Sequence, residues 1–217
     1  MRSDSIIGYF WECSNEDCRF RYPDTSTRFG YGFCPKCGEP AIQSSKVLSM
    51  GNSSERKHDS TADLTVLLDN LRSVYNVGSI FRTCEGFGIG NILLCGITPI
   101  PEHPRMKKTS LGAENCISWT YSNNSIDAVK KLRTQNYFIV GLENTFSSVS
   151  IQEIDKNIIN KPLCLVLGNE KLGIDPDIQR LCDLLVYIPM TGVKESFNVS
   201  VALGIAAYQF LEILRLH

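Results

Sequence analysis

The chain has 217 residues, 43% of them hydrophobic and 21% charged, with a formal net charge of −1. The apolar share supports a globular protein with a sizeable core, while the near-neutral balance excludes a broad positive field for nucleic acid. No run approaches the roughly 18 apolar residues of a membrane span, and Met1-Arg2-Ser3-Asp4-Ser5 leads into no apolar signal core, so a cytoplasmic location is expected.

Four of the nine cysteines lie early, as Cys13-x4-Cys18 and Cys34-x2-Cys37 with 15 residues between the pairs. Two close pairs at this separation can fold as knuckles that place four thiolates tetrahedrally around one Zn²⁺. Residues 1–43 are therefore expected to form a zinc-ribbon-like module with a structural metal. Gly38, directly after the last ligand, lets backbone N–H groups turn toward sulfur. Phe20, Tyr22, Phe29, Tyr31 and Phe33 would supply a mini-core too small to fold without metal. Two readings compete: a redox pair at Cys34 and Cys37, which lacks the surrounding βαβ pattern, and four unrelated thiols. The odd total argues against a disulfide framework and for a reducing compartment. Cys84, Cys95, Cys116, Cys164 and Cys182 show no pair spacing and are expected as small core residues.

From residue 44 to residue 61 the chain turns polar, through Ser44, Ser45, Ser49, Gly51-Asn52-Ser53-Ser54 and Glu55-Arg56-Lys57-His58-Asp59. That composition reads as a linker. Beyond it, short apolar runs alternate with helical patterns. Leu64–Leu68, Asn91–Cys95, Ile117–Tyr121, Tyr137–Leu142, Leu163–Leu167 and Leu184–Pro189 read as strands, continuous rather than alternating, as in a sheet buried on both faces. Helices are expected from Ser125 to Leu132 with a Ser N-cap, from Asp175-Pro176 through Leu181, and from Val199 to Leu216. The alternation implies an α/β fold with a mostly parallel sheet.

The usual phosphate loops are missing. Gly86-Phe87-Gly88-Ile89-Gly90 precedes a strand and reads as a helix end, and Gly168-x4-Gly173 is followed by Ile174 rather than Lys. Polar residues cluster instead after three apolar strands, where binding loops belong in such folds. Asn70 to Cys84 carries Asn76, Gly78 and Arg82. Leu167 to Ile174 carries Gly168, Asn169 and Glu170. Ile188 to Ala202 carries Met190, Ser196 and Asn198. Taken singly, Arg82 reads as a surface arginine, Glu170 as a turn cap, and Ser196 or Asn198 as the N-cap of the last helix.

Together the three segments resemble the SpoU/TrmH branch of the SPOUT methyltransferases over about residues 62–217. Asn76-Val-Gly-Ser-Ile-Phe-Arg82 is similar to the first family motif, Leu167-Gly168-Asn-Glu170-x-x-Gly173 to the second, and Ile188-Pro-Met190 with Ser196-Phe197-Asn198-Val-Ser-Val-Ala to the third. Phe197, where Leu is usual, is the one visible departure. The resemblance implies helices on both faces of the sheet, a C-terminal trefoil knot, and a homodimer whose sites are completed by the partner's first motif. It implies S-adenosylmethionine-dependent methylation of RNA ribose 2′-hydroxyls. The compact catalytic part favours tRNA over rRNA as the substrate, and an inactive RNA-binding adaptor is the alternative. Leu142, Leu167, Gly168, Ile188, Met190 and Phe197 are then expected to cradle the cofactor. Asn76, Arg82, Glu170, Ser196 and Asn198 are expected to form the catalytic set. A guanidinium beside a phosphate holds its proton more tightly. Arg82 is therefore expected to grip phosphate and stabilise charge, with Asn76, Glu170 and Asn198 orienting Arg82 and Ser196. Arg19, Arg21, Arg28 and Lys36 among the ribbon's aromatics, and Arg105-x-Lys107-Lys108, are candidate RNA contacts.

Overall fold

The computed structural model describes residues 6–25, 32–48 and 64–214. The chain divides into two compact units, Met1–Lys57 and His58–His217. In the first, β1 (Ile6–Cys13), β2 (Arg21–Asp24) and β3 (Ala41–Leu48) form an antiparallel sheet in the order β2-β1-β3. β3 continues through Ser44, Ser45 and Lys46, which polar composition had assigned to the linker. The physical reason is that so small a sheet leaves these positions exposed. There the two serine hydroxyls accept from the Arg21 guanidinium at 2.7 and 3.1 Å. The remainder of the expected linker, 49–61, lies outside the described residues. Of the expected mini-core aromatics, Tyr22 is buried and donates its hydroxyl proton to the Phe33 carbonyl at 2.9 Å. Phe20 and Phe33 are exposed, and Phe29 and Tyr31 lie outside the described residues.

The second unit runs β4 (Leu64–Asp69), α1 (Val74–Phe87), β5 (Asn91–Cys95), α2 (Lys107–Ser110), β6 (Ser118–Ser122), α3 (Ser125–Thr134), β7 (Phe138–Leu142), β8 (Val149–Ser150), β9 (Leu163–Leu167), α4 (Pro176–Gln179), β10 (Leu184–Tyr187) and α5 (Val199–Leu214). The strands form one seven-stranded sheet in the order β6-β5-β4-β9-β7-β10-β8, and each pairing between them is parallel.

Two cores explain why the strands read as continuous apolar runs. Leu64, Val66 and Leu68 of β4 pack with Val77, Ile80 and Phe81 of α1 and Leu203, Ala207 and Phe210 of α5. Leu67 of β4, with Cys164 and Val166 of β9, packs on the opposite face against Ala128, Val129 and Leu132 of α3 and Ile178 of α4. Successive side chains point to opposite faces, so covering both faces makes every position apolar. Truncating a central residue such as Leu68, which is 0% exposed, to alanine costs about 2–5 kcal/mol.

Helix ends follow local chemistry. Ser73 caps α1, and Gly88, at φ 72, closes it with its N–H on the carbonyls of Cys84 and Glu85. The cap of α3 is Asn124 rather than Ser125: its side chain accepts from the N–H groups of Ile126 and Asp127 at 2.9 and 3.3 Å. Asp175 caps α4 ahead of Pro176. Cys84, Cys95 and Cys164 are fully buried as expected and Cys182 is partly buried, whereas Cys116 is exposed. It closes the short 3-10 segment Ala113–Asn115, just ahead of β6.

Candidate functional site

Because the strands are parallel, the carboxyl ends of β4, β9, β7 and β10 lie side by side at one end of the sheet. Loops leaving these ends can converge. The chain leaves β4 through Asn70, at φ 58 in the left-handed region. Asn70 Oδ1 accepts from the N–H of Ile97 at 3.2 Å, and its carbonyl accepts from Asn169 Nδ2 at 2.6 Å. Gly96, also at positive φ, faces this side chain so closely that a Cβ there would lie 2.0 Å from Asn70 Oδ1.

Glu170 reaches from the loop after β9 to the start of α1. Its carboxylate accepts from the backbone N–H groups of Arg72 (2.9 Å) and Ser73 (3.0 Å) and from Asn76 Nδ2 (3.0 Å). The negative charge sits where unsatisfied helix N–H groups favour an anion. Partial burial acts to raise the Glu170 carboxyl, but these donors outweigh it and hold it below the usual carboxylate range. Asn76 Oδ1 in turn accepts from Asn198 Nδ2 at 3.0 Å. Asn198 caps α5, accepting on Oδ1 from the N–H of Ser200 (3.0 Å) and from its hydroxyl (2.7 Å). A continuous relay, Glu170–Asn76–Asn198–Ser200, thus ties the loops after β4, β9 and β10 together.

Arg82 and Ser196 stand apart from it. Both are exposed, and among the described residues neither is hydrogen-bonded to Asn76, Glu170 or Asn198. Helical geometry explains the separation of Arg82, which lies about 9 Å further along α1 than Asn76 and about 120° around its axis. The polar set therefore braces the loops rather than orienting these two side chains within one chain.

The expected cofactor residues occupy three neighbouring strand ends, in the order β9-β7-β10. Leu142 ends β7, Leu167 ends β9 with Gly168 next, and Ile188 and Met190 follow β10. Leu142, Gly168, Ile188 and Met190 are half-buried and Phe197 is exposed. The Leu167 side chain is 2% exposed and belongs to the core under α1 and α5, so it can offer only its backbone. Gly168 is sterically required, since a Cβ would lie 2.2 Å from the backbone of Gly173 and Ile174. Paired bonds, Asn169 N–H to the Gly173 carbonyl at 2.9 Å and the reverse at 2.8 Å, close this loop. Ile188 also lines a cavity of about 400 Å³ with Ile151, Gly204, Ile205 and Tyr208. Half-buried apolar groups beside free backbone at adjacent strand ends suit an adenosine and a methionine chain.

Sequence reasoning missed several supports. Glu143, directly after Leu142, accepts from the N–H of Ile174 at 2.9 Å and so braces the glycine loop. Asn169 accepts from the N–H groups of Lys171 and Leu172 on Oδ1. The Asn-Glu-Lys spacing hinted at such a turn; nothing adjacent in sequence marked Glu143.

In the first unit, the ligand atoms of Cys13, Cys18, Cys34 and Cys37 all lie within 4.8 Å of one another. The sulfur separations Cys13–Cys37 and Cys18–Cys34 are 3.5 and 3.9 Å. A tetrahedron with Zn–S of about 2.3 Å has an edge of about 3.8 Å, so the donor set fits zinc. Gly38, at φ 78, gives its N–H to the Cys34 carbonyl at 2.9 Å, while the N–H of Lys36 reaches the Cys34 sulfur at 3.4 Å. Within the metal-free cluster, N–H donors from Cys37 and Lys36 outweigh burial and hold the Cys34 thiol below its ordinary value, whereas burial pushes Cys13 up.

A parallel sheet whose polar loops converge at three strand ends defines an α/β protein of the kind that binds its ligand at the carboxyl ends of the strands. The profile of the SpoU rRNA Methylase family matches residues 63–208, and the chain belongs to that family. The tRNA (guanosine(18)-2′-O)-methyltransferase of Aquifex aeolicus is 31% identical over 153 residues, 68% of this chain and 68% of that protein. The 23S rRNA (guanosine-2′-O-)-methyltransferase RlmB of Coxiella burnetii is 30% identical over 158 residues, 70% of this chain and 60% of that protein. The AdoMet-bound rRNA methyltransferase of Sinorhizobium meliloti superposes with a TM-score of 0.64 at 28% identity, covering 70% of this chain and 56% of that one. The chain thus spans between 56% and 68% of the length of these relatives. No described helix is long and apolar enough to cross a membrane.

Proposed function

We infer that this chain, an S-adenosylmethionine-dependent RNA 2′-O-methyltransferase by family, acts in the cytoplasm as a homodimer, on tRNA in preference to rRNA. The observation that carries the reading is the Glu170–Asn76–Asn198 relay, which locks three motif loops around the strand ends where the cofactor residues lie. S-adenosylmethionine, held by Leu142, Gly168, Ile188, Met190 and Phe197 with the Leu167 backbone, supplies an electrophilic methyl group. The chain's task is then to place the ribose hydroxyl in line and manage charge on the neighbouring phosphate. Arg82 grips the phosphate and stabilises developing charge, and Ser196 or water passes the hydroxyl proton on to solvent.

Arg82's distance from its own chain's relay favours a second copy. So does α5, whose Val201, Ile205 and Tyr208 are exposed at helical spacing, an apolar stripe that a partner would cover. Arg82 of one copy then serves the cofactor site of the other. The knot is supported by strand order: β9 enters between β4 and β7, and β10 between β7 and β8. The cysteine tetrad is a structural zinc site. Of the ribbon's candidate contacts, Arg28 lies outside the described residues, while Arg19 and Arg21 contribute little free charge because both pair with Glu12 at 3.2 and 3.1 Å.

The Aquifex relative's action on tRNA favours a tRNA substrate, and the Coxiella relative keeps rRNA as the second reading. The test is methyl transfer from labelled S-adenosylmethionine to tRNA and rRNA, with the modified nucleotide mapped. The expected result is a 2′-O-methyl group on tRNA, lost in Arg82→Ala while cofactor affinity holds. Wild-type transfer by Arg82→Ala would overturn the role of Arg82, and cofactor binding without transfer to any RNA would favour an adaptor.

A further inference from the structure

A second hollow lies at the other side of the same sheet end. Its volume is about 590 Å³, and its walls include Ile97, Ile100, Trp119 and Tyr121 with Glu102 and His103. Trp119 and Tyr121 are alternate residues of the edge strand β6, so their rings share one face. Tyr121 gives its hydroxyl proton to the Gly96 carbonyl at 2.5 Å, which fixes the ring and spends its only donor. Tyr121 is 47% and Ile97 65% exposed, so apolar and aromatic surface is open to a ligand.

The hollow is coupled to the relay. Ile97 is bonded to Asn70, and Thr98 Oγ1 accepts from the N–H of Leu71 at 3.1 Å while donating to the Cys95 carbonyl at 2.7 Å. The segment that follows Leu71 is the one Glu170 clamps. β5 and β6 are the first and second strands out from β4, so the hollow lies roughly 5–10 Å from the end of β4. That is close enough for neighbouring nucleotides of one strand to reach both places. Arg105, Lys107 and Lys108, all exposed, follow the hollow in sequence and offer positive charge for phosphate.

We propose that this hollow holds a guanine base of the RNA, adjacent to the ribose that is methylated. The proposal rests on the RNA methyltransferase reading above. Unpaired bases are read by aromatic stacking and by hydrogen bonds to their Watson–Crick edges. Glu102 offers only acceptors. Guanine presents N1–H and N2–H side by side to a carboxylate, whereas adenine and cytosine turn a ring-nitrogen acceptor toward it and uracil offers one N–H between two carbonyls. Trp119 and Tyr121 supply the stacking surface, and the three cations hold the phosphate.

The chain has two tryptophans, so in full-length Trp11→Phe protein the fluorescence comes from Trp119 alone. Guanosine, adenosine, cytidine and uridine 5′-monophosphates are titrated into this protein and into the same protein carrying Glu102→Gln. Guanosine monophosphate is expected to quench Trp119 at about tenfold lower concentration than the other three, a preference that Glu102→Gln abolishes. Glu102 is exposed, so the variant folds, and its unchanged affinity for S-adenosylmethionine confirms that. Equal quenching by all four nucleotides, no quenching, or a preference that survives Glu102→Gln would overturn the proposal. The RNA reading fails separately: wild-type protein that transfers methyl groups to RNA without a guanine preference keeps the enzyme and discards the pocket. A guanine preference without transfer keeps the pocket and discards the enzyme.

Discussion

Asn76 and Glu170 are 94 positions apart, yet Asn76 Nδ2 donates to Glu170 Oε1 at 3.0 Å while Asn76 Oδ1 accepts from Asn198. The amide uses both of its chemistries at once, a donor toward an anion and an acceptor toward a second amide.

Replacing Asn76 with Asp keeps the size and removes the donor, setting two carboxylates against each other. Methyl transfer should fall about 100-fold, the effect of loops displaced by about 1 Å. Affinity for S-adenosylmethionine should change far less, because Asn76 is not among the residues proposed to hold the cofactor. Calorimetry beside single-turnover transfer separates the two, and an unimpaired rate would show that the relay does not organise the site.

Glu170→Gln retains one acceptor oxygen and loses the charge that the N–H groups of Arg72 and Ser73 favour. Loss of such bonds costs about 1–3 kcal/mol, and partial exposure puts this case near the low end. The wild-type carboxyl titrates below its ordinary value. Its stabilising contribution is therefore complete above the unfolded pKa of about 4.3 and disappears as pH falls through the lower folded value. The melting-temperature gap between the two proteins should be constant from neutral pH to about 5 and shrink below about 4. A gap that widens on acidification contradicts the assignment.

Gly168→Ala places a methyl group 2.2 Å from the Gly173 and Ile174 backbone, which cannot rotate away as a side chain could. Overpacking of this kind costs about 1–3 kcal/mol. Thermal stability should drop and cofactor affinity should fall about tenfold or more as the loop shifts. Wild-type affinity in a folded Gly168→Ala protein would remove this loop from the cofactor site.

Stripping zinc with a chelator, or Cys34→Ser, should unfold the first unit and leave the second with its own melting transition. Trp11, in β1, reports the first event and Trp119 the second. Metal analysis should find about one zinc per chain in the intact protein. Absence of zinc from protein whose β1 environment is native would refute the metal site.

The buried strands were legible because two-sided burial makes most of their residues apolar; Asn91–Cys95 and Leu163–Leu167 match the expected bounds. β8 and α2, of two and four residues, are too short to carry a period. Ser44 and Ser45 misled because exposed strand and linker share a polar composition. At the site, Asn76, Glu170 and Asn198 stood out as polar residues after apolar strands, and the structure brings those three together. That Arg82 and Ser196 stand outside their relay was not legible, since it depends on helix rotation and loop path. Glu143 escaped because its partner, Ile174, is 31 positions away.

The contact between Asn70 and Gly96 resists sequence change at both positions. An alanine at Gly96 meets Asn70 Oδ1 at 2.0 Å and also sits at φ 61, so shortening Asn70 clears the clash but leaves the backbone strain. Shortening Asn70 first strands the N–H of Ile97 and leaves a non-glycine residue at positive φ without the local hydrogen bond that suits asparagine there. Either single step descends, and the double change neither restores the lost hydrogen bond nor relieves the strain of two side chains at positive φ. Sequences diverging from this one should therefore keep both residues.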